Sequence, residues 1–407
     1  MDRAAESYVK LVLAVGQHDP DYVDAFYGPP EWRTEAEAAK RPLADLRAEA
    51  ERLVAELQAM PAGGDELERL RHQYLTRQLQ SMVARLDMLS GKKLSFDEES
   101  RALYDAVAPT HDAAHFQRIL DRLEGIVPGD PADTPLPERI ERFREGFVIP
   151  RDKLDAVFTA AIGECRRRTL EHFELPPGES FEVEYVNGKS WSAYNWYKGG
   201  FHSLIQVNTD LPIYIERAID LACHEGYPGH HVYNVLLEKH LVRDRGWPEF
   251  SVYALFSPQS LIAEGTANYG IEVAFPGDER VRFEREKLFP LAGIDPSKAE
   301  RYYEIQRLTQ ELGYAGNEAA RGYLNGTMTR EQAAEWMVRY NLSAPARAEQ
   351  RTKFFDQYRS YVINYNYGQD LVKQYIERRG GTADNPAKRW EEFEKLLASP
   401  RLPSGLR

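Results

Sequence analysis

Three of the chain's ten histidines, with a glutamate beside the first, fall in the segment Leu221-Ala-Cys-His-Glu-Gly-Tyr-Pro-Gly-His-His231. Neutral imidazole and carboxylate are donors that zinc accepts, and a catalytic zinc site keeps one position open for water. The familiar helical solution sets two His at i and i+4 on one face, with Glu next to the first as general base. Here the i+4 position from His224 is Pro228, which cannot ligate. His230, at i+6, lies about 240° around an ideal helix from His224, and His231, at i+7, lies about 10 Å along the axis. Gly226, Pro228 and Gly229 are the residue types that let a helix break or bulge, and a two-residue bulge returns His230 to the metal. His230 is therefore the expected second ligand. His231 is the alternative, and a purely structural segment with neither is the third reading.

A further protein ligand is needed. Ser260-Leu-Ile-Ala-Glu264-Gly-Thr-Ala-Asn-Tyr269 offers Glu264 in an otherwise apolar helical stretch, where a merely solvated carboxylate is out of place. A buried Glu paired to Arg is the competing reading. Asn268, four residues on, is placed to orient that carboxylate, as is an ordinary helix-face Asn.

The elements that must hold these residues are mostly helices. Leu46, Ala50, Leu53 and Leu57, then Leu67, Leu70, Tyr74, Leu75, Leu79, Met82, Leu86 and Leu89, recur at helical spacing as far as Gly91. Ser95-Phe-Asp-Glu98 and Thr329-x-x-Gln332 are capping boxes. Four prolines between Pro128 and Glu138 cannot continue a helix. They divide the chain into an N-terminal helical region (1–127), a linker (128–137) and a metal-binding region (138–407), the two regions together forming one compact unit. Alternation at Phe181, Val183 and Tyr185, the turn dipeptide Asn187-Gly188 and the stretch Ser203–Asn208 predict a small antiparallel sheet before a metal-binding helix that starts near Pro212. The expected class is mainly α with that one small sheet.

Composition narrows the function. With 52 Lys+Arg against 64 Asp+Glu among 407 residues, the net charge is −12, which argues against broad nucleic-acid binding. No apolar run reaches the ~18 residues of a membrane span. Two cysteines, Cys165 and Cys223, supply neither a disulfide framework nor a Cys-rich metal site. The opening MDRAAESYVKLVLAVG carries early acids and Lys10 and does not read as a secretory leader, so a cytoplasmic protein without membrane or nucleic-acid partners is expected.

HEGYPGHH with a downstream AEG helix resembles the bacterial "domain of unknown function 885" family, a group similar to zinc metallopeptidases with a His-Glu…His helix and a distal Glu ligand. The likeness extends over most of the chain, through Asp19–Trp32 (DPDYVDAFYGPPEW) and the late Asn364-Tyr365-Asn366-Tyr367-Gly368. Thr266-Ala-Asn-Tyr269 stands where the family often has Trp-Ala-Leu-Tyr, and Asn366 where it commonly has Lys. These departures bear on substrate preference more than on the metal. The resemblance implies His224, His230 and Glu264 as ligands of one Zn2+ per chain and Glu225 as general base.

It also implies a mechanism. Zinc lowers the pKa of water towards ~7, Glu225 takes the proton, and the attack on an amide carbonyl creates an oxyanion that needs a donor. Tyr365, from the late motif, is the candidate donor. The strand Ser203–Asn208 is expected to hold an extended peptide by its edge, and His202 is read as a local polar residue. Arg351, Lys353 and Arg359 are candidates to bind a substrate carboxylate, or are solvated positions of a charged helix. The expected activity is hydrolysis of peptide bonds in short peptides. The alternatives are a zinc hydrolase of a non-peptide amide or ester, and a non-catalytic helical binding protein.

Overall fold

A computed structural model describes residues 1–61 and 63–407. The chain is mainly α, with a two-stranded and a three-stranded sheet. The expected stripe Leu46, Ala50, Leu53 and Leu57 is buried on the helix Leu43–Ala59, which packs against the helix Glu66–Leu89. Asp65 starts the second of these by accepting from the Glu68 amide. Both capping boxes form, Ser95 opening Phe96–Tyr104 and Thr329 opening Arg330–Tyr340. The Pro-rich stretch is pinned from within: buried Arg139 donates to the carbonyls of Val127, Gly129 and Thr134, and the helix Leu136–Glu145 begins inside it. The main apolar core includes side chains from Ala4 through Leu406.

Two features of the central region differ from the sequence-based expectation. The helix before the histidines starts at Glu216, because Tyr214 is drawn into an isolated antiparallel bridge with Val148: Ile149 N–H donates to Ile213 O, and Ile215 N–H to Phe147 O. The three-stranded sheet is mixed. With β1 (Val23–Phe26) in the other sheet, it comprises β2 (Ser180–Val186), β3 (Ala193–Gly199) and β4 (His202–Asn208) in the order β2-β4-β3. Strand β4 runs parallel to β2 and antiparallel to β3. Asn187-Gly188 therefore begins a crossing past β4. The tight hairpin lies at Gly199-Gly200-Phe201, three consecutive residues with φ of 77°, 64° and 63°. The two glycines take that left-handed path without a Cβ penalty. The last strand, β5 (Val252–Ala254), pairs with β1 in the second sheet.

One helix crossing fixes the site. The helix Pro258–Ala274, carrying Glu264, packs along Ile363–Arg378, carrying Tyr365. They touch backbone to backbone: a Cβ on Gly265 would lie 2.5 Å from the Gly368 carbonyl. Gly265→Ala is expected to push the helices apart and destabilise the fold by about 1–3 kcal/mol. Gly163→Ala, on an exposed helical position with nothing within 4 Å of the new Cβ, should instead stabilise by about 0.5–1 kcal/mol. Urea unfolding of the two variants checks both signs.

Candidate functional site

The residues after Glu216–Leu221 do not continue an α-helix. Ala222–Gly226 form one wide π turn, in which Tyr227 N–H donates to the carbonyl of Ala222 at 3.1 Å. Tyr227-Pro228, joined by a cis peptide, and Gly229 break the chain, and a new helix runs from His230 to Leu237. Only glycine fits at position 229, where a Cβ would sit 1.9 Å from the His224 carbonyl oxygen. The break brings the two imidazoles edge to face, with ring centroids 4.6 Å apart.

Glu264 meets them from the facing helix. Its Oε2 lies 3.2 Å from His224 Nε2 and 3.6 Å from His230 Nε2. The three side chains offer ligand atoms within 4.8 Å of one another. Neither imidazole contact has hydrogen-bond geometry, so Oε2 is buried without a donor among the described residues. The other oxygen, Oε1, accepts from the Tyr361 hydroxyl at 2.7 Å. A carboxylate with one oxygen capped and the other bare towards two nitrogens suits a divalent cation.

Neighbouring groups set the protonation of these donors. Asn268 Nδ2 donates to the Tyr365 carbonyl, which turns its Oδ1 to His224 Nδ1 at 2.9 Å. An amide oxygen only accepts, so the His224 proton sits on Nδ1 and leaves Nε2 free to ligate. The expectation that Asn268 orients Glu264 is thus corrected: one turn along the same helix, it reaches the imidazole instead. Burial works against charge on His230, but the Glu264, Glu225 and Asp24 carboxylates override it and raise its pKa to about 9. Burial also opposes charge on Glu264, yet the two imidazoles hold it well below the usual carboxylate range.

Glu225 and Tyr365 line the same cleft, of about 1430 Å³. The Glu225 carboxylate has no hydrogen-bonding partner among the described residues, while its backbone carbonyl accepts from Asn195 Nδ2 of β3 at 2.7 Å. Burial first, and the Glu264 charge second, push the Tyr365 phenol well above its usual pKa, so it stays a donor.

His231 points the opposite way. It is fully buried between Ser203 Oγ (2.8 Å) and Glu179 Oε2 (2.9 Å), and Glu179 also accepts from Tyr227 and Arg166. Consecutive residues at the start of the new helix face opposite sides, one towards the cleft and one towards the sheet. His202 makes a local contact with Ser180. The expectation of a substrate-binding edge at Ser203–Asn208 is also corrected: β4 is the middle strand, and β3 is the one beside the cleft. Of the three proposed cations, Arg351 lines the cleft, Lys353 is exposed elsewhere, and Arg359 pairs with buried Glu99 at 2.7 Å.

Two contributors escaped the sequence reading. Tyr361 has no motif around it. Asp24 of β1 lies in the family-like segment Asp19–Trp32 and lines the cleft, accepting from the Tyr194 hydroxyl. Burial pushes it up to about 6, against that hydrogen bond.

No protein-family model matches the chain, and no curated protein does. Two solved structures share the fold. One, provisionally named a lipoprotein, from Colwellia psychrerythraea, is 16% identical over 99% of this chain and 74% of its own, with a TM-score of 0.54. The other, provisionally named a lipoprotein of unknown function, from Shewanella oneidensis, is 15% identical over 93% of this chain and 78% of its own, with a TM-score of 0.50. No helix among the described residues is long and apolar enough to cross a membrane.

If His224, His230 and Glu264 hold a zinc ion, removing the groups behind them should weaken its binding. Zinc affinity, measured by competition with a chelator, is expected to fall about 10–100-fold in Asn268→Ala and in Tyr361→Phe. His230→Ala should lose the metal outright. His231→Ala should keep it but lose about 1–3 kcal/mol of folding stability, because a buried carboxylate is left short of a partner.

Proposed function

We propose that the protein is a zinc-dependent hydrolase of peptide bonds, in keeping with its resemblance to the domain of unknown function 885 family. The observation that carries this reading is the bare Glu264 Oε2 facing two imidazole nitrogens, with the unpartnered Glu225 carboxylate in the same cleft. His224, His230 and Glu264 would hold the ion, two nitrogens and one oxygen being the donor set of a catalytic zinc. When bound, zinc supplies Lewis acidity that makes water a nucleophile near neutral pH.

The chain's own residues do the rest. Glu225 takes a proton from the attacking water and returns one to the departing amine, a general-base then general-acid role. Tyr365, held protonated, donates to the oxygen that gains charge. Strand β3 offers the substrate a backbone partner. Asn208 N–H donates to Ser192 O, and the alternation this begins leaves the amide and carbonyl of Ala193 and Asn195 directed away from β4. An extended peptide adds to such an edge by main-chain pairing. The cleft exceeds the ~300–1,000 Å³ of ordinary small-ligand sites and accommodates several residues.

Protein purified without added metal and without a His tag is expected to carry about one zinc per chain and to cleave short peptides. Glu225→Gln should keep the zinc and lower kcat by about 10²–10⁴-fold. Metal-free protein of undiminished thermal stability would favour a non-catalytic binding protein. Zinc-loaded protein that cleaves esters or non-peptide amides but no peptide would move the reading to those substrates.

A further inference from the structure

The chain is acidic and most of its arginines are matched with carboxylates, but Arg351 is not. Among the described residues its guanidinium has no ion-pair or hydrogen-bond partner; what it meets are the rings of Phe354, Phe355 and Tyr365. The group is partly buried in the cleft wall, with Cζ 4.3 Å from the centre of the Phe354 ring and 5.8 Å from that of Tyr365. One turn earlier on the same helix, Pro345–Tyr358, Arg347 also lines the cleft without an acidic partner. Stacking on aromatic rings satisfies the face of a guanidinium but leaves its planar fork of donors, the part that matches a carboxylate. Burial lowers the Arg351 pKa, a penalty on the bare cation that an arriving anion relieves.

The position matters as much as the charge. Tyr365 is the common neighbour of Arg351 and of the metal-ligand cluster, its ring lying 5.7 Å from that of Tyr361, which holds Glu264. Arg351, Tyr365 and the three clustered side chains line one cleft, so an extended peptide with its terminal carboxylate on Arg351 presents its inner carbonyls along the same wall.

We infer that Arg351 receives the C-terminal carboxylate of the peptide substrate, so that the enzyme trims peptides from the C-terminus. This rests on the peptide-hydrolase reading and assigns the substrate class of the same site. The chemistry balances as a hydrolysis: the oxygen of water joins the carbonyl carbon, the C–N bond breaks, and the nitrogen leaves with a proton from that water. The shortened peptide ends in a new carboxylate.

The test separates binding from turnover. Zinc-loaded, full-length Glu225→Gln protein is titrated calorimetrically with tetra-alanine and with tetra-alanine amide. The free acid should bind at least tenfold more tightly. Adding Arg351→Gln should abolish that preference by weakening only the acid, while zinc content and unfolding midpoint stay unchanged, and Arg351→Lys should restore part of it. In the otherwise wild-type protein, Arg351→Gln should raise KM for the acid more than it lowers kcat. Equal affinity for acid and amide, or a preference that survives Arg351→Gln, overturns the assignment. If the acid preference behaves as expected but the wild-type protein cleaves neither peptide, the carboxylate site stands and the peptide-hydrolase reading falls.

Discussion

A carboxylate shut inside protein must be balanced by positive charge, and Glu264 sets that requirement for the whole site. Tyr361 satisfies one of its oxygens, and the other faces only imidazole nitrogens. Burial disfavours a proton on His230, but the Glu264, Glu225 and Asp24 carboxylates favour one there. In the proposed zinc site a divalent ion would do the same work with twice the charge, the two imidazoles joining Glu264 around it. The pull of Glu264 on anything positive is the physical reason these three side chains, remote in sequence, form one centre.

Backbone geometry makes the convergence achievable. An uninterrupted helix would point His224 and His230 apart. The π turn, the Pro-Gly break and the absence of a side chain at 229 allow two short helical pieces to meet at an angle with both rings inward. On the opposite wall, Gly265 against Gly368 lets two helices approach closely enough for Asn268 to bridge from His224 to the Tyr365 carbonyl. Glu99 fastens the corner between the Arg351 and Tyr365 helices by accepting from Arg359 and Ser360. Tyr361, in that corner, is thereby fixed on Glu264.

Much of this was readable in residue order because its causes are local. Capping boxes mark helix starts through hydrogen bonds three residues apart, and the Gly-Tyr-Pro-Gly run announces a broken helix. The choice of His230 over His231 followed from the same breakers, and the structure brings His230 to His224 and Glu264 while burying His231 against Glu179. What was not readable depends on distant partners. Asn187-Gly188 has the composition of a hairpin turn, but β4 is inserted between the strands it joins, and only tertiary pairing decides that. Tyr361 is one tyrosine among 23, set apart only by where its corner meets Glu264. Arg351, Lys353 and Arg359 are equivalent as letters, and the packing of one helix sends them to a cleft, to solvent and to a buried acid.

Strand β1, near the start of the chain, pairs with β5 some 230 positions later and contributes Asp24 to the cleft wall, while Tyr365 arrives from near the other end. Such long-range closure ties the cleft wall to contacts between segments far apart in sequence. On the ribosome, the nascent histidine segment emerges well before the helix that completes its surroundings. The pocket draws its lining from Asp24 to Asp370, so a fragment cut close around the histidines would lack much of its wall.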